Sequence, residues 1–220
     1  MRKSKRKRQS QSQNDMRPIM CEELYKLTDE HGFTYGGTKW GKNVTHSGTG
    51  RGDLCGPGFI HAYTDQVLAV MMNPAHACFK TPRLYLAEGI VALNDGCKVG
   101  CVSLTTLKRL PLPRVTLAQR VRFGILSALE VCADASFVEW ANNWLSGKDR
   151  SVDVARLAAN VANAASAARL AAADAANAAN AANAADAARL AADAANAARR
   201  ATTPNAINLA KISRLAVSTK

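Results

Sequence analysis

The sequence predicts an α+β fold: a small mixed or antiparallel sheet with packed helices, followed by a long alanine-rich α-helical extension. Three observations carry this. Short strand-like segments are separated by turn signals, Asn94-Asp95-Gly96 foremost among them. Two amphipathic helical stretches follow Pro113. From Val154 to Ala201 the chain is mostly alanine, the best helix former. The chain therefore divides into a basic arm (1–19), a compact α+β domain (20–149), an alanine-rich helical segment (150–202) and a short amphipathic helix (203–220).

Residues 24–28 (LYKLT) alternate and predict a strand; 29–32 turn, and 33–35 return. Residues 36–58 are rich in Gly, Thr and Ser and contain Trp40 and His46, which predicts a long loop of the kind that is often functional. Residues 58–63 (GFIHAY) form a short apolar strand. Thr64 or Asp65 then caps a helix with Leu68, Val70 and Met71 or Met72 inward, which Asn73-Pro74 is expected to stop. Residues 83–93 and 98–107 pair across the Asn94-Asp95-Gly96 turn, and Pro111 and Pro113 end the sheet region.

Thr116 with Gln119 makes a capping box that opens a helix through Val121, Phe123, Ile125 and Leu129. A second helix carries Phe137, Trp140, Trp144 and Leu145, and Gly147 suits its C′ position. Trp140 and Trp144 are one helical turn apart and read as core. In the alanine tract polar residues recur every third position (Asn177, Asn180, Asn183, Asp186, Arg189). That period slides around a helix of 3.6 residues per turn. Leu157, Leu170 and Leu190 are sparse anchors that could dock the tract on the core or on a second copy; the tract reads first as a largely exposed helix and not as a heptad coiled coil. Ile207, Leu209, Ile212 and Leu215 mark a short helix suited to docking on the core or on a partner.

The net charge is +12, and half of it sits in the arm, on Arg2, Lys3, Lys5, Arg6, Lys7, Arg8 and Arg17 against Asp15. Such an arm, without apolar residues, is expected to be disordered and to attract nucleic acid without sequence preference. No aromatic residue interleaves it, so stacking on single strands is not expected there. Met16 and Met20 both precede the first strand, so a start at either would omit the basic run. No apolar run approaches the roughly 18 residues of a membrane span, and no apolar segment follows the basic start as in a secretory leader. These readings place the chain in the cytoplasm, off the membrane. Its six cysteines are then expected as free thiols. Cys97-x-x-x-Cys101 lacks the paired spacing of a zinc site; on one strand both side chains would share a buried face.

The stretches LYKLTDEHG, LCGPGFIHAYTDQVLAVMMNPAHACF, PRLYLAEG, KVGC and LPLPRVTLAQRVRFGIL resemble a family of uncharacterised phage and prophage proteins: a small domain of unknown function followed by an Ala-rich repeat tail. The resemblance covers roughly residues 23–150, is most specific around Cys55, Gly58, Phe59, His61 and Ala62, and implies an accessory gene without implying an activity. No P-loop, G-x-S-x-G, H-E-x-x-H or metal-ligand cluster is present, and no metal is expected. The first reading is therefore a non-catalytic binding module acting on a host protein or near nucleic acid.

The alternative is an NAD-using enzyme. Gly58 to Asp65, followed by a helix, is similar to the strand-then-helix element of mono-ADP-ribosyltransferases. That resemblance implies Tyr63 stacking nicotinamide, His61 on the ribose hydroxyls, and Glu88 stabilising an oxocarbenium-like transition state, with Tyr25 or Trp40 helping to enclose the ring. The arginine or histidine usual on the first strand is absent from LYKLT. Glu88 alone also reads as a solvated residue, and His61 and His76 as hydrogen-bonded structural histidines.

Overall fold

The computed structural model describes residues 19–151, 155, 184–202 and 207–218 and has an α+β architecture. The described strands are β1 (Ile19–Thr28), β2 (Phe33–Thr34), β3 (Thr38–Lys39), β4 (Val44–Ser47), β5 (Ile60–Ala62), β6 (Arg83–Asn94) and β7 (Val99–Leu110). The described α-helices are α1 (Gln66–His76), α2 (Leu117–Leu129), α3 (Ala135–Ser146), α4 (Ala184–Arg200) and α5 (Leu209–Val217). The basic residues of the arm, and Leu157 and Leu170 of the alanine tract, lie outside the described residues.

β1, β6 and β7 are consecutive antiparallel neighbours. The other edge of β7 is shared: its first residues pair with β5 and its later ones with β4. Tyr25 and Tyr63 then exchange backbone hydrogen bonds of 2.8 and 2.9 Å, tying the chain that leaves β5 back to β1. The sheet thus curls round on itself through β1, β6, β7 and β5. Curling splits the apolar side chains into two cores. Leu24, Ala87, Val99, Cys101 and Leu104 fill the inside, where Trp40 packs on them. Leu27, Leu84 and Tyr63 face outward into a larger core made with the helices.

Local chemistry explains most element ends. Asp65 caps α1 by accepting the Leu68 N–H at 2.8 Å. The Thr116–Gln119 capping box is present in both directions. Gly147 closes α3 at φ 78°, a left-handed backbone that glycine adopts without a Cβ penalty. Asp95 accepts the Cys97 and Lys98 N–H groups, both at 2.9 Å, and shapes the β6–β7 turn.

Four expectations are corrected. Pro74 does not stop α1, which runs on to His76. A proline leaves the carbonyl four residues back without its helical donor. Here that is Val70, and the Arg120 guanidinium donates to it at 3.1 Å. The long loop contains β3 and β4, and its Trp40 is buried, donating to Thr34 Oγ1 at 3.0 Å. Cys97 and Cys101 are both buried, but Cys97 precedes β7 and joins the outer core while Cys101 joins the inner one. The described part of the alanine tract is packed, not exposed: Ala187, Ala191, Ala194, Ala195 and Ala198 have at most 1 % exposure.

That last packing has a sequence cause. From Asp186 to Asn196 the polar spacing becomes three, four, three (Asp186, Arg189, Asp193, Asn196), with Arg199 and Arg200 following, which restores one alanine stripe at helical period. The stripe lies on α2, where a Cβ built on Gly124 would meet the Ala191 Cα at 3.2 Å. Gly124 sits in mid-helix despite the propensity cost because nothing larger admits α4 so close. Gly124→Val is therefore expected to cost about 1–3 kcal/mol by overpacking. A urea midpoint shift at constant slope measures it, and an unchanged midpoint would mean that α4 does not sit on α2 in solution.

α5 docks beside α4. Its Leu209, Ile212 and Ala216 are buried, whereas Leu215 points to solvent at 47 % exposure, against expectation. Arg214 pairs with Asp65 at 2.7 Å, and Gln119 Nε2 donates to the Val217 carbonyl at 3.2 Å. The last described helix therefore contacts the caps of both α1 and α2. Among the described residues, no helix is long and apolar enough to cross a membrane.

Candidate ligand-binding cleft

Where the sheet curls, β5 and the segment that follows β1 leave two adjoining cavities of about 590 and 410 Å³. They share Lys26, Thr34, Tyr35, Cys55 and His61. Trp40, His46 and Phe59 line the larger; Tyr63, His76, Phe79 and Lys98 line the smaller. The loop after β4 crosses β5 at Gly48 and Gly58, and a Cβ on either would collide with the facing backbone. Among the described residues, no Asp or Glu lines either cavity.

Lys26 is the unusual residue. Alternation along β1 puts Leu24, Lys26 and Thr28 on the inner face, so its stem runs beside the inner core. The residue is 8 % exposed. Nζ donates to the His61 carbonyl at 2.7 Å and lies 5.0 Å from the centre of the Trp40 ring. A neutral carbonyl and a ring face are weak recompense for losing water, and burial pushes the ammonium down to about 8, with the neighbouring Cys101 opposing.

The same positive field reaches the histidines. Burial, with Lys98 next, lowers His76 to about 4. Burial first, then Lys98 and Lys26, lowers His61, against the opposing Leu54 carbonyl. Asp95 opposes both shifts, but it is paired with Arg199 of α4 at 3.4 Å. The alanine-rich helix thereby helps set the charge of the cleft. Tyr63 lies in the outer core with its hydroxyl 2.8 Å from His76 Nδ1, and burial holds the phenol well above its usual range. A histidine midpoint near pH 4 makes a sharp prediction. His76 is neutral when folded but protonates near 6.5 when unfolded, so the unfolded chain binds more protons between those values. Its contribution to stability is full above 6.5 and is lost as the pH falls towards 4. An imidazole titration followed by NMR should place the midpoint near 4; one near 6.5 would contradict the buried pairing with Tyr63.

The residues singled out for NAD chemistry are only partly brought together. His61 and Tyr63 do line one cavity. Yet His61 Nε2 is engaged by the Leu54 carbonyl, and Tyr63, at 7 % exposure, stacks on His76 with 6.0 Å between ring centres, so its face is not free for nicotinamide. Glu88 is exposed on β6, paired in register with Thr105, and lines neither cavity. Of the two aromatics assigned to enclose the ring, Trp40 lines the larger cavity, whereas Tyr25 lines neither and donates to Glu23 at 3.2 Å. His76 was read as structural and Lys26 and Lys98 were not singled out. The available cue was a lysine at an inward position of an alternating strand. Among the described residues no three His, Cys, Asp or Glu side chains are placed to hold a metal ion. Cys55 and Cys78 are exposed free thiols, and Cys97, Cys101 and Cys132 are buried ones.

Comparison of the chain with protein-family models, with curated proteins and with solved structures finds no match.

Proposed function

We propose that this protein is a non-catalytic, phage-type accessory binding module whose cleft takes an anionic, ring-bearing group, the phosphate and base of a nucleotide or of a nucleic-acid strand. The observation that carries this reading is Lys26: a nearly buried ammonium whose hydrogen-bond partner is one carbonyl, in a cleft lined by no carboxylate among the described residues. A buried cation without a counter-ion is costly, and an incoming phosphate would supply the missing charge in a charge-assisted hydrogen bond. Lys98 adds to the field, and the fully exposed Tyr35 offers a ring face to a base. The basic run from Arg2 to Arg8 would raise the local concentration of nucleic acid without choosing a sequence. Action on a host protein rests on the phage resemblance alone.

The test is a titration of AMP, NAD and a short single-stranded oligonucleotide into the protein and its Lys26→Met variant, at low and moderate salt. The reading expects binding that weakens about tenfold to a hundredfold in the variant, the size of a lost charged hydrogen bond. Binding only to the oligonucleotide, unchanged in Lys26→Met and lost when residues 1–19 are removed, would move the function to the arm. Nicotinamide release from NAD would restore the transferase reading.

A further inference from the structure

We propose that the Lys26 amine is a covalent capture site: it condenses with the aldehyde of a phosphate-bearing ligand to form an imine in the cleft. The proposal rests on the cleft reading for the phosphate and goes beyond it in the chemistry of the amine.

The geometry is that of an aimed nucleophile. Nζ comes from β1, the end strand that the Tyr25–Tyr63 bridge ties back towards β5, is steered by one hydrogen bond to the His61 carbonyl at 2.7 Å, and Lys26 lines both cavities. The Trp40 ring, 5.0 Å away and itself buried, limits where the amine can move. A lysine is a weak nucleophile while it is an ammonium, and a dry site or a second cation is what frees its lone pair. The dry site is present: Lys26 is 8 % exposed. With the ammonium pushed down to about 8, about a tenth of the molecules carry the neutral amine at pH 7, roughly three-hundredfold more than an ordinary lysine.

The step balances without an oxidant or reductant. The amine lone pair attacks the aldehyde carbon, the C=O π bond breaks, and a carbinolamine forms. The carbinolamine then loses one water, its oxygen leaving with the former N–H proton, and a C=N bond remains. Once the Lys26 amine is committed to the imine, Lys98 at the wall of the smaller cavity supplies a second cation for the phosphate. Among the described residues, no carboxylate lines the cavities to hold Lys26 as an ammonium.

Pyridoxal 5′-phosphate, which joins an aldehyde, an aromatic ring and a phosphate, is the probe, with pyridoxine 5′-phosphate as its aldehyde-free partner. The full-length protein is mixed with less than one equivalent of pyridoxal phosphate, reduced with borohydride and mapped by peptide mass spectrometry. The expected result is one dominant adduct, on Lys26, that disappears in Lys26→Arg and Lys26→Met. Pyridoxine phosphate should compete with it and should still bind the Lys26→Arg variant, which keeps the charge. Adducts spread over surface lysines, with no excess on Lys26, overturn the covalent proposal. If pyridoxine phosphate nevertheless binds, the cleft reading stands alone. An adduct on Lys26 that forms equally well with unphosphorylated pyridoxal supports the amine and removes the phosphate reading.

Discussion

A chain ending at Arg150 is expected to lose its cooperative unfolding transition, although it contains every strand and the first three helices. α4 and α5 supply the far wall of the outer core. Without them Leu68, Met72, Val121, Phe123 and Ile125, now at most 1 % exposed, lose the cover that α4 and α5 give their cluster. Ile207, Leu209 and Ile212 are buried in the intact chain, at about 1.5–3 kcal/mol each, before any term for the alanine stripe. Their sum rivals the roughly 5–15 kcal/mol by which a domain of this kind is stable at all. Two ion pairs go as well, Arg214 with Asp65 and Arg199 with Asp95. Circular dichroism should keep a helical and sheet signal while the thermal transition broadens, and a hydrophobic dye should bind. An unchanged melting temperature would show that α4 and α5 are accessory to the fold.

The residues that mislead about this region do so for definable reasons. Alanine carries so little apolar surface that the tract reads as unable to bury anything, and a period of three reads as no stripe at all. The period of three runs through Asn177, Asn180 and Asn183, which lie outside the described residues. Both readings fail at Asp186, Arg189, Asp193 and Asn196, where the spacing returns to helical period and Gly124 removes the last side chain from the facing helix. Close approach between two backbones depends on a pair of small residues distant in sequence, so neither reveals it alone.

Pro74 teaches the same lesson from the other side. The local rule that proline ends a helix is sound, but its cost is a carbonyl without a donor, and Arg120, from a helix begun much later in the chain, donates there. The extra turn carries His76 to within 2.8 Å of Tyr63 and so builds part of the cleft. The elements decided by local chemistry were legible: the alternating β1, the Asn94-Asp95-Gly96 turn, the capping box at Thr116 and the Gly147 stop. β4 was hidden because Val44-Thr45-His46-Ser47 is polar enough to read as loop; it is a strand because β7 is long enough to pair with β4 as well as β5. For the site, the sequence named His61 and Tyr63 through a resemblance to an enzyme element, and the cavity does contain them. It passed over Lys26 because only the curl of the sheet decides which face of LYKLT lies inside.

Replacing Lys26 by methionine is expected to make the protein more stable while abolishing ligand capture. The folded-state value of about 8 stands against 10.5 for the free side chain, and each unit is worth about 1.4 kcal/mol. Burying the charge thus costs on the order of 3 kcal/mol at neutral pH, and losing the bond to the His61 carbonyl returns about 1 kcal/mol of that. The net expected gain in Lys26→Met is about 1–3 kcal/mol at pH 7. The sign is set by proton binding. Between pH 8 and 10.5 the unfolded chain holds the proton that the folded one has released, so the natural protein gains stability as the pH rises through that window. The variant has no such term. Its advantage should be full below about 8, shrink steadily, and vanish or reverse near 10.5. Urea unfolding of both proteins at pH 7 and near 10 measures the difference directly. A variant that is less stable at both values, by a similar amount, would mean that Lys26 is an ordinary packed stem with a solvated head. A gain confined to neutral pH would show that the fold carries an unpaired charge at a cost in stability, which selection retains where the charge, or the amine it releases, is used.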